Sequence, residues 1–282
     1  MRLTALANKV GTDKGTVTGA GHAYTSVYEV LFEALRDREI DLLEIGLSAG
    51  GPEVGQTADR AVTDLPSIRM WHEYFPKARI YGLDISDFSQ FQSDWFEFFR
   101  ADCGDAAQLA QVARTGARFD IVIDDGSHAS FHQQLALSIL FPTVKVGGLY
   151  IIEDLNWQPE EYERTLPDVP KTTEVLTRFM ATGRFQDHHA ISREQWESVQ
   201  NHVASVMLFD EDQLVTMRRL YNDATGDRPD MHHYLDSTGS RRLLSRGHTR
   251  RVLEALGGLA RALVGDGVPH RPRVKLAVLQ KR

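Results

Sequence analysis

The sequence predicts an α/β fold: a doubly wound, Rossmann-like, mostly parallel sheet with helices on both faces. Strand-like runs recur after helix-like stretches, and this rhythm is typical of βαβ units. The strand-like runs are apolar on both faces, as expected when helices cover both sides of the sheet. We expect an antiparallel hairpin to close this sheet and a C-terminal extension of helix and strand to follow it.

The predicted strands are five short apolar runs, and most of the predicted helices connect one run to the next. Strands are expected at residues 41–46, 78–85, 96–102, 119–125 and 147–154. Helices are expected at residues 25–37, around 67–75, at 106–114 and at 130–144.

The chain changes in character after the fifth strand. Residues 156–172 are rich in proline and acids and predict a long active-site loop. Residues 203–210 and 211–219 indicate two strands joined by a tight acidic turn, which would form the closing hairpin. Residues 248–264 have the apolar spacing of an amphipathic helix, and residues 273–282 predict an edge strand.

Length and composition predict an ordinary soluble protein. Hydrophobic residues make up 42% and charged residues 25% of the 282 residues. No apolar run reaches the roughly 20 residues that span a membrane, and the N-terminus lacks the apolar core of a secretory signal. We therefore expect a cytoplasmic protein with no membrane partner. Cys103 is the only cysteine of the sequence, which excludes an internal disulfide and a cysteine-based zinc cluster.

Charge is unevenly distributed along the chain. The formal net charge is −7, but residues 240–282 contain 11 basic and 2 acidic side chains, which leaves −16 on residues 1–239. An acidic body argues against nucleic acid as a partner, because phosphate binding needs a basic face. We expect the basic tail to pair with the acidic body or with a second subunit, so that residues 221–282 would support a homo-oligomer.

The predicted strands end in an unusual number of acids. Ligands of open α/β sheets bind outside the carboxyl ends of the strands, so residues at those ends belong together. So many carboxylates are electrostatically costly unless a sulfonium cofactor, a metal ion or both lie among them. The residues concerned are Glu44, Gly46, Asp84, Asp102, Asp124, Asp125, His128, Glu153 and Asp154.

Four residues in the turns after the first strand and at the ends of the second and third strands suit a nucleoside cofactor. Gly46 and Gly50, in the turn after the first strand, let the backbone approach a ligand closely, although this turn is not a G-x-G-x-x-G fingerprint. Asp84 ends the second strand, where an acid binds the ribose hydroxyls of NAD or S-adenosylmethionine equally well. Asp102 would accept a hydrogen bond from an adenine amino group; the alternative is that it caps the helix at residues 106–114.

The strings IDDGSH and IIED carry the strongest chemical signal. Neighbouring strands would place Asp125, Glu153 and Asp154 close together, and carboxylates with room for water hold hard cations such as Mg²⁺. His128 beside them would be a general base. The alternative is that Asp125 or Ser127 caps the next helix and His128 has no role in the chemistry.

The motifs GTDKG, HAYTSVYE, LLEIGLSAGG, MWHEYFP, IYGLDIS, FDIVIDDGSH and GGLYIIEDL occur in this order. Over residues 8–160 the chain thereby resembles the metal-dependent sugar O-methyltransferases of macrolide biosynthesis and related cephalosporin-pathway methyltransferases. The resemblance implies an S-adenosylmethionine cofactor, Mg²⁺ held by Asp125, Glu153 and Asp154, and His128 as the general base, with Asp125 in the catalytic centre.

The resemblance also implies a division of the chain into three parts. Residues 1–30 would cover the cofactor or substrate, residues 31–220 would form the methyltransferase domain, and residues 221–282 the basic extension. The cofactor residues would be Lys14 and Tyr28 from the N-terminal motifs, joined by those that follow the strands: Glu44, Gly46, Gly50, Asp84, Asp102 and Asp124. Thr12, Asp13, His22 and Tyr24 would fold over the site with Lys14, or else belong to a capped surface loop.

The expected function is therefore Mg²⁺-dependent transfer of a methyl group to a hydroxyl of a sugar or glycosylated natural product. The segment around Trp157 and Pro159 departs from the macrolide enzymes, and the metal pair suits a catechol as well as a sugar diol. A methyltransferase for a phenol, catechol or amine and a non-catalytic Rossmann-like binding protein stay open. A nicotinamide oxidoreductase would not explain three carboxylates at adjacent strand ends.

Overall fold

The fold is a seven-stranded mixed sheet in a computed structural model that describes residues 1–228 and 273–282. The strands lie in the order β3-β2-β1-β4-β5-β7-β6, and the first five pair in parallel. This arrangement confirms the predicted doubly wound sheet. The strands are β1 Asp41–Ile45, β2 Arg79–Asp84, β3 Phe96–Arg100, β4 Phe119–Asp124, β5 Val144–Ile152, β6 Val203–Asp210 and β7 Val274–Lys281.

The helices cover both faces of the sheet. Alternation along β1 illustrates this: Leu42 packs into a core with Leu3 and Trp71, whereas Leu43 packs into a second core with Leu109 and Leu137. The first core contains the helices α1 Leu3–Val10, α2 Tyr24–Phe32, α3 Pro66–Tyr74 and α9 Glu211–Thr225. The second contains α4 Ala106–Arg114, α5 Ser130–Leu140, α7 Thr172–Thr182 and α8 Arg193–Gln200, and the short α6 Glu160–Glu163 interrupts the predicted loop at residues 156–172.

The predicted closing hairpin is wrong in its second arm. Residues 211–219, expected as a strand, belong to α9. Asp210 accepts a hydrogen bond from the Gln213 backbone, and the Gln213 side chain bonds back to the Asp210 backbone. This capping box, followed by the acids Glu211 and Asp212 in the first turn, starts a helix and outweighs the apolar alternation that suggested a strand.

The predicted edge strand at residues 273–282 exists but lies inside the sheet. β7 runs antiparallel between β5 and β6, pairing Tyr150 with Leu279 on one side and Met207 with Val278 on the other. β6 is therefore an edge strand, and antiparallel closure of the sheet comes from β7. The predicted helix at residues 248–264 lies outside the described residues.

The start of α4 decides between the two predictions for Asp102. Asp105 is the N-cap residue of α4, since its side chain accepts hydrogen bonds from the backbone amides of Ala107 and Gln108. The capping alternative for Asp102 is thus wrong.

No helix within residues 1–228 or 273–282 is long and apolar enough to cross a membrane.

Candidate active site

The site lies at the carboxyl ends of β1, β4 and β5, next to the point where the strand order reverses. The backbones after β1 and β4 approach each other closely there. Gly46 has a φ of +80°, and a Cβ atom at this position would lie 2.1 Å from the carbonyl oxygen of Asp125. Only glycine fits such an approach, which explains the glycine directly after the first strand.

A cluster of Asp125, His128 and Asp154 forms at this edge. One potential ligand atom from each side chain lies within 4.8 Å of the other two. His128 and Asp154 have φ values of +59° and +51°, in the left-handed region that costs a non-glycine residue energy. His128 thus precedes α5, which begins at Ser130, instead of opening it as expected. Within the described part of the chain, the buried His128 Nδ1 has no hydrogen-bond partner.

Lys14 joins three strand ends through a buried ammonium group. Its Nζ lies 2.5 Å from Asp125 Oδ2, 2.9 Å from Glu153 Oε2 and 3.2 Å from Glu44 Oε1. Burial alone would lower the pKa of Lys14, but the charges of the three carboxylates outweigh burial and raise that pKa well above its usual value. One ammonium thus links three acids, and burial raises the pKa of Glu153 well above its usual value.

Three predicted site residues, Glu153, Lys14 and Tyr28, are bonded to one another behind the cluster. Glu153 accepts a hydrogen bond from the Tyr28 hydroxyl at 2.6 Å as well as the bond from Lys14, so both of its carboxylate oxygens are engaged. The structure therefore brings Asp125 and Asp154 together with His128, and not with Glu153 as the sequence predicts. Lys14 and Tyr28, predicted as cofactor residues, both contact Glu153, and Lys14 also bonds Asp125.

Asp154 is surrounded by groups from the N-terminal segment and from β7. The Tyr24 hydroxyl donates to Asp154 Oδ1 at 2.8 Å, while His22 Nδ1 and Lys275 Nζ each lie 3.7 Å from this oxygen. Burial alone would raise the pKa of Asp154, but the charges of His22, His128 and Lys275 outweigh burial and hold that pKa below its usual range. His22 and Tyr24 thus fold over the site, as the sequence predicts for this segment.

A first cleft runs along the ends of β1 to β4. Its cavity volume is about 60 Å³, well below the usual range of small-molecule sites. Gly46, Asp84 and Asp102, which the sequence predicts as cofactor residues, line it. Asp84 accepts hydrogen bonds from the backbone amides of Leu47 and Ser86 and from Arg60, whose Nη2 lies 2.7 Å from Asp84 Oδ1.

Two residues predicted for the cofactor point away from the first cleft. Asp124 accepts a hydrogen bond from the Tyr150 hydroxyl at 3.2 Å, and burial raises its pKa to about 7. Glu44 is buried between Lys14 and the indole of Trp71, whose Nε1 donates to Glu44 Oε2 at 3.1 Å. Both acids therefore support the strand ends from within and do not line the cleft.

A second cleft adjoins the first and contains the cluster. Asp13, Gly50, His128, Asp154 and Trp157 line it, and the Trp157 ring stands edge-on to the imidazole of His128 at 5.3 Å between ring centres. The two clefts share Gly46, Ser48, Glu53, Asp125 and Gly126 as lining residues. Two ligands bound side by side would consequently meet at Asp125.

Three residues that line the first cleft, and one residue that contacts Asp154, are missing from the sequence prediction. Arg60 comes from the long connection between β1 and α3, His132 from α5 and Tyr162 from α6, and all three line the first cleft. Lys275 comes from β7 and reaches Asp154. A basic residue in a glycine-rich loop and a histidine five residues after DDGS are weak signals, and the place of Lys275 depends on strand pairing that no local pattern reveals.

No protein-family model matches the chain. Among curated proteins, it is 41% identical over 154 residues to 8-demethyl-8-alpha-L-rhamnosyl tetracenomycin-C 2'-O-methyltransferase of Streptomyces olivaceus, covering 55% of this chain and 38% of that one. It is 39% identical over 156 residues to mycinamicin VI 2''-O-methyltransferase of Micromonospora griseorubida, covering 54% and 36%. The matched region thus spans less than two fifths of these relatives.

Solved structures give the same relationship. The MycE methyltransferase of the mycinamycin pathway in complex with Mg and SAH superposes with a TM-score of 0.57 at 28% identity, over 74% of this chain and 52% of that chain. The same enzyme with Mg, SAH and mycinamycin VI gives a TM-score of 0.56 at 29% identity over the same shares. The resemblance predicted from the motifs is confirmed: by sequence and by fold, the relatives of this chain are sugar O-methyltransferases with the Rossmann-like class I methyltransferase fold.

Proposed function

We propose that the chain is an S-adenosylmethionine-dependent, Mg²⁺-dependent O-methyltransferase that acts on a hydroxyl of a sugar or glycosylated natural product. The observation that carries this proposal is the meeting of the two clefts at Asp125, beside His128 and Asp154. A group transfer between two bound molecules needs such a shared wall, because the reacting atoms must come within about 3.5 Å of each other.

The first cleft would hold the cofactor. Asp84 is suited to the ribose hydroxyls and Asp102 to the adenine amino group, since both side chains accept hydrogen bonds at adjacent strand ends. Arg60 already occupies Asp84 Oδ1, so both ribose hydroxyls can bind Asp84 only if Arg60 moves aside. Gly46 allows the backbone after β1 to approach the cofactor.

The cluster is suited to a hard divalent cation. Asp125 and Asp154 offer carboxylate oxygens, and the unpartnered buried Nδ1 of His128 shows that this pocket leaves polar groups unsatisfied. Asp125 and Asp154 would hold Mg²⁺, while Glu153 would reach the ion only by giving up its bond to Lys14 or Tyr28. When bound, the ion would act as a Lewis acid that lowers the pKa of an acceptor hydroxyl.

His128 would take the proton that the acceptor hydroxyl loses. When bound, S-adenosylmethionine would supply the methyl group, and its sulfur would keep the electron pair of the broken carbon–sulfur bond. The imidazole of His128 lies in the second cleft, which would hold the acceptor, and it packs against Trp157, which limits its rotation. Tyr24, His22 and Lys275 would keep the Asp154 carboxylate ionised and in place.

Calorimetric titration of chelator-stripped protein with S-adenosylhomocysteine and then Mg²⁺ tests the cofactor and metal assignments. We expect micromolar binding of the cofactor product and a metal site that Asp125→Ala abolishes. Asp120→Asn is the control, because Asp120 lies on β4, the strand that leads to Asp125, but pairs with Lys145, away from both clefts. Cofactor binding without metal binding would refute the metal assignment alone, whereas no cofactor binding would refute the proposed function.

Transfer of a labelled methyl group tests the acceptor class. Mycinamicin VI and rhamnosylated tetracenomycin C, the acceptors in the names of the relatives, serve as glycoside probes, with a catechol for comparison. We expect methylation of a glycoside and little transfer to the catechol. Faster transfer to the catechol would move the proposal to the phenol and catechol class.

A further inference from the structure

Resting on the function proposed above, we infer that His132 is a specificity residue for adenine and donates a hydrogen bond from Nε2–H to a ring nitrogen of the base. His132 lies on α5, is buried, and lines the first cleft together with Asp102 and Tyr162. None of the sequence motifs points to it.

The position of His132 follows from the turn after β3. A Cβ atom at Gly104 would lie 2.7 Å from His132 Nε2 and 3.2 Å from Asp102 Oδ1. The imidazole therefore reaches across from α5 to the side of Asp102, and glycine at position 104 makes room for it. The edge-on Tyr162 ring, 5.6 Å away between ring centres, packs against the imidazole.

The bond between His132 and Ser127 engages one ring nitrogen. Ser127 Oγ lies 2.7 Å from His132 Nδ1, and a hydroxyl can either donate to this nitrogen or accept from it. We assign the tautomer in which Ser127 donates to Nδ1, so that the single ring proton lies on Nε2 and faces the cleft. Burial lowers the pKa of His132, which favours this neutral form.

Nε2–H lacks a partner within residues 1–228 and 273–282, since the bond to Ser127 is the hydrogen bond that His132 makes there. Asp102 Oδ1 accepts from the Gly104 amide, and its second oxygen is free to accept another bond. The cleft thus presents an acceptor next to a donor. Adenine presents the complement, an amino donor flanked by the ring acceptors N1 and N7.

The pairing discriminates between purines. A base with a carbonyl in place of the amino group would set an acceptor against the Asp102 carboxylate and leave the binding site's polar groups unpaired. Sites built to hydrogen-bond a ligand reject analogues that lack the matching group, because the buried partner stays unsatisfied. Asp102 and His132 together would therefore select adenine.

Binding of 1-deaza and 7-deaza analogues of S-adenosylhomocysteine to the protein and to His132→Phe tests this inference. We expect one of the two analogues to bind the wild-type protein about tenfold more weakly than S-adenosylhomocysteine, because it lacks the acceptor. His132→Phe keeps a ring of similar size without the donor, so it should bind S-adenosylhomocysteine about tenfold more weakly and no longer distinguish that analogue. His188→Phe, at a half-buried histidine outside the first cleft, should behave as the wild type.

The outcomes separate this inference from the proposed function. If the wild-type protein bound both deaza analogues as tightly as S-adenosylhomocysteine, His132 would have no donor role, although the cofactor assignment would stand. The same conclusion would follow if His132→Phe still bound S-adenosylhomocysteine more tightly than the deaza analogue by the same factor as the wild type. If S-adenosylhomocysteine itself failed to bind, the proposed function would be wrong. The comparison within the wild-type protein holds even if His132→Phe folds poorly.

Discussion

His128 and Asp154 adopt left-handed backbone conformations on either side of the same cluster. Each costs on the order of 1–3 kcal/mol, and such strain persists only where the surrounding structure enforces it. The Tyr24 hydroxyl provides part of this enforcement, because it donates to the Asp154 side chain and accepts from the Asp154 backbone amide. The cluster is therefore preorganised, with its side chains positioned before a ligand arrives.

Replacement of His128 by asparagine should slow methyl transfer without weakening cofactor binding. Loss of a general base lowers a rate by about 10² to 10⁴-fold. We expect a decrease of kcat in this range in initial-rate assays, with the dissociation constant of S-adenosylhomocysteine unchanged. His189→Asn, at an exposed histidine, is the control. Full activity of His128→Asn with its best acceptor would exclude the role as base.

Replacement of Arg60 by methionine should tighten cofactor binding. Arg60 and the Ser86 amide both donate to Asp84 Oδ1, so the arginine competes with a ribose hydroxyl for that oxygen. Without it we expect calorimetry to show a dissociation constant for S-adenosylhomocysteine lower by about three- to tenfold. Arg100→Met is the control, because Arg100 bonds Asp59 in the same loop but not Asp84. Weaker binding to Arg60→Met would mean that Arg60 itself contacts the cofactor.

At the scale of the elements, the junction between β1 and β4 depends on Gly46. Gly46→Ala would place a methyl group 2.1 Å from the Asp125 carbonyl oxygen in addition to straining a φ of +80°. Gly116 has a φ of +85° with no atom within 4 Å of an added Cβ, so Gly116→Ala isolates the backbone strain of about 1 kcal/mol. We expect urea unfolding to show at least about 2 kcal/mol more destabilisation for Gly46→Ala. If Gly46→Ala and Gly116→Ala lowered the free energy of unfolding equally, the ends of β1 and β4 would move apart at little cost.

The elements that the sequence predicts well are those with strong local signals. The five parallel strands and α4 lie within a few residues of their predicted positions, because continuous apolar runs and amphipathic spacing are properties of neighbouring residues. The strand predicted at residues 211–219 is wrong, although the capping residues Asp210 and Gln213 are a local sequence signal for the start of a helix. The position of β7 inside the sheet cannot be predicted from local sequence, because it depends on pairing with Tyr150, more than a hundred residues away.

The candidate site, too, is only partly predictable from the sequence. Convergence of Asp125 and Asp154 follows from the parallel pairing of β4 and β5, which the sequence predicts. The direction of each side chain does not follow from it. Asp124 pairs with Ile152, so alternation would place Asp125 beside Glu153, and both of these acids do bond Lys14. Asp154 joins Asp125 because the chain leaves strand geometry there, with a φ of +51°.

For the whole molecule, a buried neutral histidine makes stability depend on pH. Burial lowers the pKa of His132, so the unfolded chain binds a proton near pH 6.5 that the folded protein does not. This contribution to the unfolding free energy is therefore complete above about pH 6.5 and is lost as the pH falls. The loss approaches at most about 1.4 kcal/mol per pH unit.

Unfolding in urea at pH 7 and pH 5 measures this effect as a difference between proteins. The buried Asp124, with a pKa near 7, acts in the opposite direction over the same range, so the slope for the wild type alone is not informative. We expect His132→Phe to gain stability relative to the wild type as the pH falls, whereas the exposed His189→Phe should show no such trend. A constant difference between His132→Phe and the wild type would mean that folding does not lower the pKa of His132.

Whole-molecule assembly of residues 221–282 into an oligomer stays a prediction, because most of that segment lies outside the described residues. Size-exclusion chromatography with light scattering at low and high salt tests it. A basic segment that pairs with the acidic body of a second copy should dissociate as salt screens the charges. A monomer at every salt concentration would contradict the prediction.

The place of β7 between β5 and β6 sets an order of events during synthesis. Both neighbouring strands leave the ribosome before their common partner, which follows Asp210 by more than sixty residues. At the usual pace of translation this interval lasts on the order of several seconds. For that time β5 and β6 expose open hydrogen-bonding edges, and Asp154 lacks Lys275. The nascent polypeptide is thus vulnerable to wrong strand pairing until its final strand arrives, and holding chaperones would find their substrate in this interval.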